Sequence, residues 1–237
     1  MLTLLLFFGL QATVWSQLKG ISLFTGGEIA THRLVSPMDA AGLNFNFGFG
    51  QLTESDGEES FFGGIRADWK VKDQFGVQTQ IDYGRVIYSV FFEDPTEENG
   101  ILGPLNRGIF YAPDRLDFSV LPSYTLELND FWITPKIGFT YSIPVREENY
   151  IDKIPDSKTQ QQAVAIENAL NRSFGGSVWK VNAGIDIGYK RFSAFANIRH
   201  QISSASDNPV EVEAVNLTVP FDNRLTALQF GLGYRVF

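Results

Sequence analysis

No cysteine occurs in the chain, and histidine and methionine appear only twice each. The first absence excludes a disulfide framework, a thiolate nucleophile and any cysteine-based metal site. His32 and His200 lie far apart in sequence, so a two-histidine metal site has little support, and neither a metal nor a cofactor is expected. Positive charge is scarce too: 19 Lys and Arg stand against 27 Asp and Glu, a formal net charge of −8. Without a basic stripe to displace counterions from phosphates, nucleic acid is excluded as a partner. Long apolar runs are also missing. Beyond the first residues no stretch reaches the roughly 18 apolar residues of a transmembrane helix.

What is present points to β structure. The 237 residues include 21 Phe, 8 Tyr and 22 Gly, a composition rich in strand formers and turn residues and poor in helix formers. The opening run "LTLLLFFGL" is apolar but too short to span a bilayer. It is followed by Val14 and Ser16 at the small-residue positions that precede an export cleavage. Residues 1–16 are therefore expected to be a signal peptide, cut between Ser16 and Gln17.

Eight segments alternate with period two: 43–50, 62–71, 75–84, 116–126, 131–143, 178–189, 192–200 and 228–237. One face of each is apolar and usually large, as in Leu43, Phe45, Phe47 and Phe49, or Ile65, Ala67, Trp69 and Val71. The opposite face carries polar and charged residues near mid-strand, where a soluble barrel or sandwich would place its core. Apolar outside and polar inside is the pattern of a barrel in an outer membrane. The polar faces send Arg66, Lys70, Lys136, Arg199 and Arg235 inward with Asp68, Asp82, Asp117 and Asp186. Buried charges must be paired, so a near-neutral mixture predicts a self-compensating network that fills the lumen. Aromatics near strand ends (Trp69, Phe75, Phe131, Tyr141, Trp179, Tyr189 and Tyr234) are expected to form girdles at two membrane interfaces.

Connections alternate in length. Tight turns are expected after Val71, around Asn129 and at 190–191, and long loops at 51–61, 89–114, 144–177 and 203–224. Counting back from a periplasmic final strand makes 43–50 the first of eight strands and leaves 17–39 as a lead-in, with the barrel over 40–237. A ten-stranded barrel is the alternative; it would draw on the lead-in and on 210–219, which more simply extends the last hairpin above the membrane. Loop 144–177 is expected to hold a short helix over 158–172, opened by Asp156 or Ser157 and closed by Gly175–Gly176. The fold class is thus all-β, an antiparallel up-and-down transmembrane barrel with one short helix in an extracellular loop.

Segment 116–141, with a central proline at Pro122 and then a hairpin to a strand containing Gly138, resembles the PorT-like family of small outer-membrane barrels, themselves of OmpA/OmpX type. Residues 184–202 and 223–237 resemble the family's last hairpin and closing strand. His200 departs from the pattern, standing where a tyrosine is usual, and the ending is one residue longer. The resemblance implies the fold and an outer-membrane location, and the family's named member is associated with type IX secretion.

Chemistry has few footholds. His200, Ser203, Ser204, Glu211 and Glu213 offer the residue types of a lipid A-modifying esterase. Yet His200 and Ser203 are of opposite parity and Ser204 lies about 13 Å along the strand, so the nucleophile–base contact fails. The acidic loops 53–59 and 93–98 lack a calcium-loop pattern and read as solvated tips. The expected function is non-enzymatic: a structural or accessory subunit that engages lipopolysaccharide or other envelope proteins through its loops and outer wall, with a small porin or ligand channel as the alternative and a lipid A-modifying esterase as the second. Its other partners would be membrane lipid and the barrel-insertion machinery, for which Phe237 is the expected signal. Phe237 has the wrong parity for the lipid face of its strand. Either it lies beyond the strand at the rim, or a bulge near Arg235 turns it outward.

Overall fold

The computed structural model describes residues 18–34, 52–54, 58–86, 88–98, 104–146, 149–150, 168–169, 172–206, 210–212, 217–219 and 223–237. Eight antiparallel strands form the wall: β1 (Leu18–Leu34), β2 (Glu58–Lys72), β3 (Phe75–Arg85), β4 (Asp114–Tyr124), β5 (Phe131–Arg146), β6 (Val178–Tyr189), β7 (Phe192–Gln201) and β8 (Asn223–Arg235). Each pairs with its neighbour in sequence, and β1 pairs with β8 to close the barrel. Each wall strand is thus paired on both sides, as a barrel in a medium without water requires.

The first strand corrects the sequence reading. It is Leu18–Leu34, taken above as a lead-in, and it pairs with both β2 and β8. The perfect alternation at 43–50 suggested a wall strand, but those residues lie outside the described ones. β1 was hard to read because its inward positions are mixed: Ser22, Phe24, Gly26, Glu28 and Ala30 face inward, and Thr25 and Gly27 interrupt the apolar outer face. The parity argument set the number of strands correctly but assigned the first one to the wrong segment.

The expected short turns are all present, at 73–74, 129–130 and 190–191, and each carries one non-glycine residue with positive φ: Asp73 (48°), Asn129 (60°) and Lys190 (53°). Asp and Asn tolerate this left-handed region better than other side chains do. Segment 210–219 contains a separate ribbon, Val210–Val212 against Leu217–Val219, and adds no wall strand. Of the expected helix at 158–172 only 168–169 and 172 are described, with helical backbone. The signal-peptide residues 1–16 lie outside the described residues.

At the long-loop end three connections join. Tyr88–Glu98 and Pro104–Tyr111 form a hairpin; Leu52–Glu54 adds to one side and Asn149–Tyr150 to the other, making a four-stranded sheet apart from the wall.

Burial along the wall alternates in the inverted sense. On β3, Gln78, Gln80 and Asp82 are buried while Phe75, Ile81 and Tyr83 are exposed. On β7, Ser193, Asn197 and Arg199 are buried while Phe192 and Ile198 are exposed. Strands of this length with their large apolar side chains outward are stable only if hydrocarbon meets them. The barrel is a transmembrane one.

Candidate functional site

The lumen holds the concentrated chemistry, in two linked clusters. Toward the long loops, Arg199 grips Asp82 with two N–H···O contacts of 3.0 Å and donates to Asp117 at 2.8 Å. Asp117 also accepts from Lys180 Nζ at 3.0 Å and from the Ser142 hydroxyl. Arg115, next inward on β4, donates to the Ser142 hydroxyl at 3.4 Å. Toward the short turns, Asp186 accepts from Lys136 Nζ at 2.7 Å, Arg66 at 3.1 Å and Gln78 at 3.1 Å. Gln78 in turn receives Lys136 at 3.0 Å and donates to Asp68 at 2.9 Å. Glu28, on β1, accepts from Gln229 at 2.5 Å.

An apolar knot sits among these groups. Phe24, Phe62 and Phe195 turn inward and meet edge to face or tilted, with centroids 5.8–6.2 Å apart. Such geometry suits the ring quadrupoles. On β7, Phe195 stands between Ser193, which accepts from Arg66, and Arg199 of the other cluster. Lys136 Nζ lies 5.8 Å from the Phe195 ring centroid. With the clusters above and below, the knot leaves the interior occupied by side chains, as the width of an eight-stranded barrel allows.

The structure brings six of the nine expected lumen charges together: Arg66, Asp82, Asp117, Lys136, Asp186 and Arg199 are all buried. The other three sit at the short-turn mouth. Lys70 is exposed, because it pairs with Gly76 just before the turn. Asp68 and Arg235 are half-buried and 3.9 Å apart. Glu28, Arg115 and Lys180 take their places, so among the described residues the charges buried inside the lumen are again five cations and four anions, with different members; Asp114 is buried too, but against the outward-facing Tyr83. Lys180 and Arg115 share the parity of Asp186 and Asp117, a signal that would have found both. Glu28 was hidden by the misassigned first strand. Phe195 is why 192–200 alternates less cleanly than its neighbours.

The short-turn mouth encloses a cavity of about 320 Å³. Trp132 points into this end, with the Arg235 guanidinium 5.3 Å from its ring. At the rim, Lys19 donates to Glu127 at 2.8 Å and holds that carboxyl below the usual glutamate range. Among the described residues no cluster of His, Asp and Glu could hold a metal ion.

The aromatics fall at the strand ends. Phe75–Tyr124, Phe131–Tyr189 and Phe192–Tyr234 are directly opposed pairs at the short-turn end, with centroids 4.7–5.2 Å apart. Trp69 joins them, donating its indole N–H to Thr79 at 2.9 Å. Tyr141–Trp179, 4.8 Å apart, lies at the other end.

The closing residues form a bulge. The amides of Val236 and Phe237 both donate to the Ile21 carbonyl, at 2.8 and 3.3 Å, and the Phe237 carbonyl accepts from Ile21 N at 3.0 Å. Two residues opposite one is bulge geometry, and it leaves both side chains exposed. The last strand ends at Arg235, so Phe237 lies beyond it, held to β1 by these bulge-like contacts with Ile21.

The esterase residues do not assemble. His200 faces outward and its Nδ1 lies 2.9 Å from the hydroxyl of Thr226 on β8. The Ser203 hydroxyl accepts from the Trp179 amide at 2.9 Å, and Ser204 contacts Ser206 at 3.1 Å. Glu211 belongs to the separate ribbon, and Glu213 lies outside the described residues.

No family model and no curated protein matches this chain. Solved structures do. Ail, the attachment invasion locus protein of Yersinia pestis, is 12% identical over 91% of this chain and 98% of its own, with a TM-score of 0.37. The outer membrane protein OprG from Pseudomonas aeruginosa is 12% identical over 92% and 97%, with a TM-score of 0.43. The outer membrane protease OmpT from Escherichia coli is 9% identical over 92% and 97%, with a TM-score of 0.37.

Proposed function

We propose that this protein is a non-conducting, non-enzymatic barrel of the Gram-negative outer membrane, a structural or accessory subunit that engages other envelope components through its loops and outer wall. The observation that carries this reading is the filled lumen. Charges held at 2.7–3.1 Å to opposite charges, around a knot of three phenylalanines, leave the molecule its surfaces with which to act. A conducting pore usually lines its path with one dominant sign of charge, and here both signs are interlocked. The aromatic pairs at the strand ends supply interface anchors, and the exposed Phe237 suits the role of insertion signal. The sheet joining three loop connections gives the outer end a preformed backbone platform. The PorT-like resemblance adds a secretion apparatus to the partners to be tested.

Two measurements test the proposal. Protein reconstituted in a planar bilayer should give no reproducible unitary current; discrete steps would instead establish the small porin. Native purification in mild detergent should retain at least one other envelope protein in stoichiometric amount. A barrel that purifies alone, by mass and by composition, would remove the accessory-subunit reading.

A further inference from the structure

The short-turn mouth is crossed by an ion pair. Lys19 stands on β1, and Glu127 on the hairpin between β4 and β5, at the opposite side of the barrel. Their contact at 2.8 Å therefore spans the opening. Strict alternation would point Lys19 outward with Ile21 and Leu23. The β1–β2 ladder shifts register between Leu18 and Gly20, however, and Lys19 stands at that shift. A bulge re-aims a side chain in this way. Two further cations act on the same carboxylate. The hydrogen bond from Lys19 does most to hold Glu127 below its ordinary range, and the fields of Lys70 and Arg235 add to it.

These four residues line the cavity of about 320 Å³. Most other charges around it are already engaged. Lys190 lies 3.8 Å from Asp130, and Asp68 accepts from Gln78 at 2.9 Å and lies 3.9 Å from Arg235. Asp73 belongs to the exposed turn after β2. Among the described residues Lys70 has no ion-pair contact. The buried polar atoms without a partner at this end, Trp132 Nε1 and Arg235 Nε, are both donors. An excess of donors and cations calls for an anionic acceptor, and the one in place is a carboxylate of the chain itself. Lys19 and Glu127 are both well exposed, and an exposed pair of this kind opens readily.

We propose that the short-turn mouth is a binding site for a small organic anion bearing two or three carboxylates, and that Glu127 is its built-in occupant, which the ligand displaces. One ligand carboxylate takes the place of Glu127 on Lys19, and a second reaches Arg235 and Lys70. The planar guanidinium matches a carboxylate. It is already held against the Trp132 ring at 5.3 Å, so little side-chain freedom is lost on binding. The cavity is at the small end of ligand pockets, which suits an anion of this size. With the short turns facing the periplasm, the ligand arrives from that side. The site lies outside the filled lumen and needs no conduction.

The test is isothermal titration of the full chain in detergent micelles with citrate, at an ionic strength held constant with sodium chloride. Folding of every variant is first checked by heat-modifiable migration. Wild-type protein should bind one citrate. Glu127→Gln should bind about two- to fivefold tighter, because more mouths stand open once the competing carboxylate is gone. Lys70→Gln and Arg235→Gln should each weaken binding about two- to fivefold, the worth of one partly exposed ion pair. Lys72→Gln removes the same charge from the exposed end of β2, outside the cavity, and should bind as wild type does. Saturable binding by neither wild type nor Glu127→Gln would overturn the site. So would Glu127→Gln binding no tighter than wild type, or Lys72→Gln weakening binding as much as Lys70→Gln.

Discussion

Replacing Arg199 with methionine should destabilise the barrel by about 3–5 kcal/mol, the loss expected when one partner of a buried ion pair is removed. The side chain is fully buried, and Asp82 receives both of its N–H contacts from it. Asp117 would keep Lys180 and Ser142. The damage therefore concentrates on Asp82, a carboxylate left buried without its partner. The double variant Arg199→Met with Asp82→Asn removes the stranded charge and should fall between the single variant and wild type. Arg235→Met gives the comparison at the rim: its partner Asp68 is 3.9 Å away and both side chains are partly solvated, so less than about 1 kcal/mol is expected. Urea unfolding in micelles, followed by tryptophan fluorescence, measures all three. If Arg199→Met cost no more than Arg235→Met, water would be reaching Asp82 and the lumen would be open.

Much of this was legible in the sequence, because a barrel wall obeys one rule along its length. Each residue faces hydrocarbon or its opposite, so Asp186 and Lys136 could be sent inward by parity alone. Parity could not say how far along the barrel axis each charge lies. That is why Lys70, Asp68 and Arg235 were placed in the lumen although they stand at its mouth. Strand tilt and register decide axial position, and these belong to the pairing of strands. β1 defeated the pattern for a related reason. Its inner face contributes Phe24 to the aromatic knot and Gly26 to the seam, so the polar-in, apolar-out contrast fades where packing inside the barrel takes over. The esterase residues show the opposite case: spacing along one strand already argued against His200 and Ser203, and the cross-strand partner of His200 proved to be Thr226.

The seam itself supplies the second large effect. Gly26 and Gly231 are directly paired where β1 meets β8. A methyl at Gly231 would collide with the Thr25 carbonyl oxygen, come within 2.6 Å of the Phe195 ring and 2.8 Å of the Gly26 backbone. Gly231→Ala should therefore cost about 1–3 kcal/mol by overpacking. Because the collision falls on the pairing that joins the two ends of the wall, it should also lower the yield of heat-modifiable, inserted barrel. Gly176→Ala is the control, since the nearest atom to its added methyl is the Ala205 carbonyl oxygen at 3.9 Å; it should insert normally. Adding Phe195→Leu to Gly231→Ala separates the two causes. The smaller side chain removes the ring contact but leaves the Thr25 carbonyl in place, so recovery should be incomplete. Full recovery would mean that the glycine pair serves only to seat the phenylalanine knot. A persistent loss would mean that β1 and β8 need the pair to approach closely enough to close the wall.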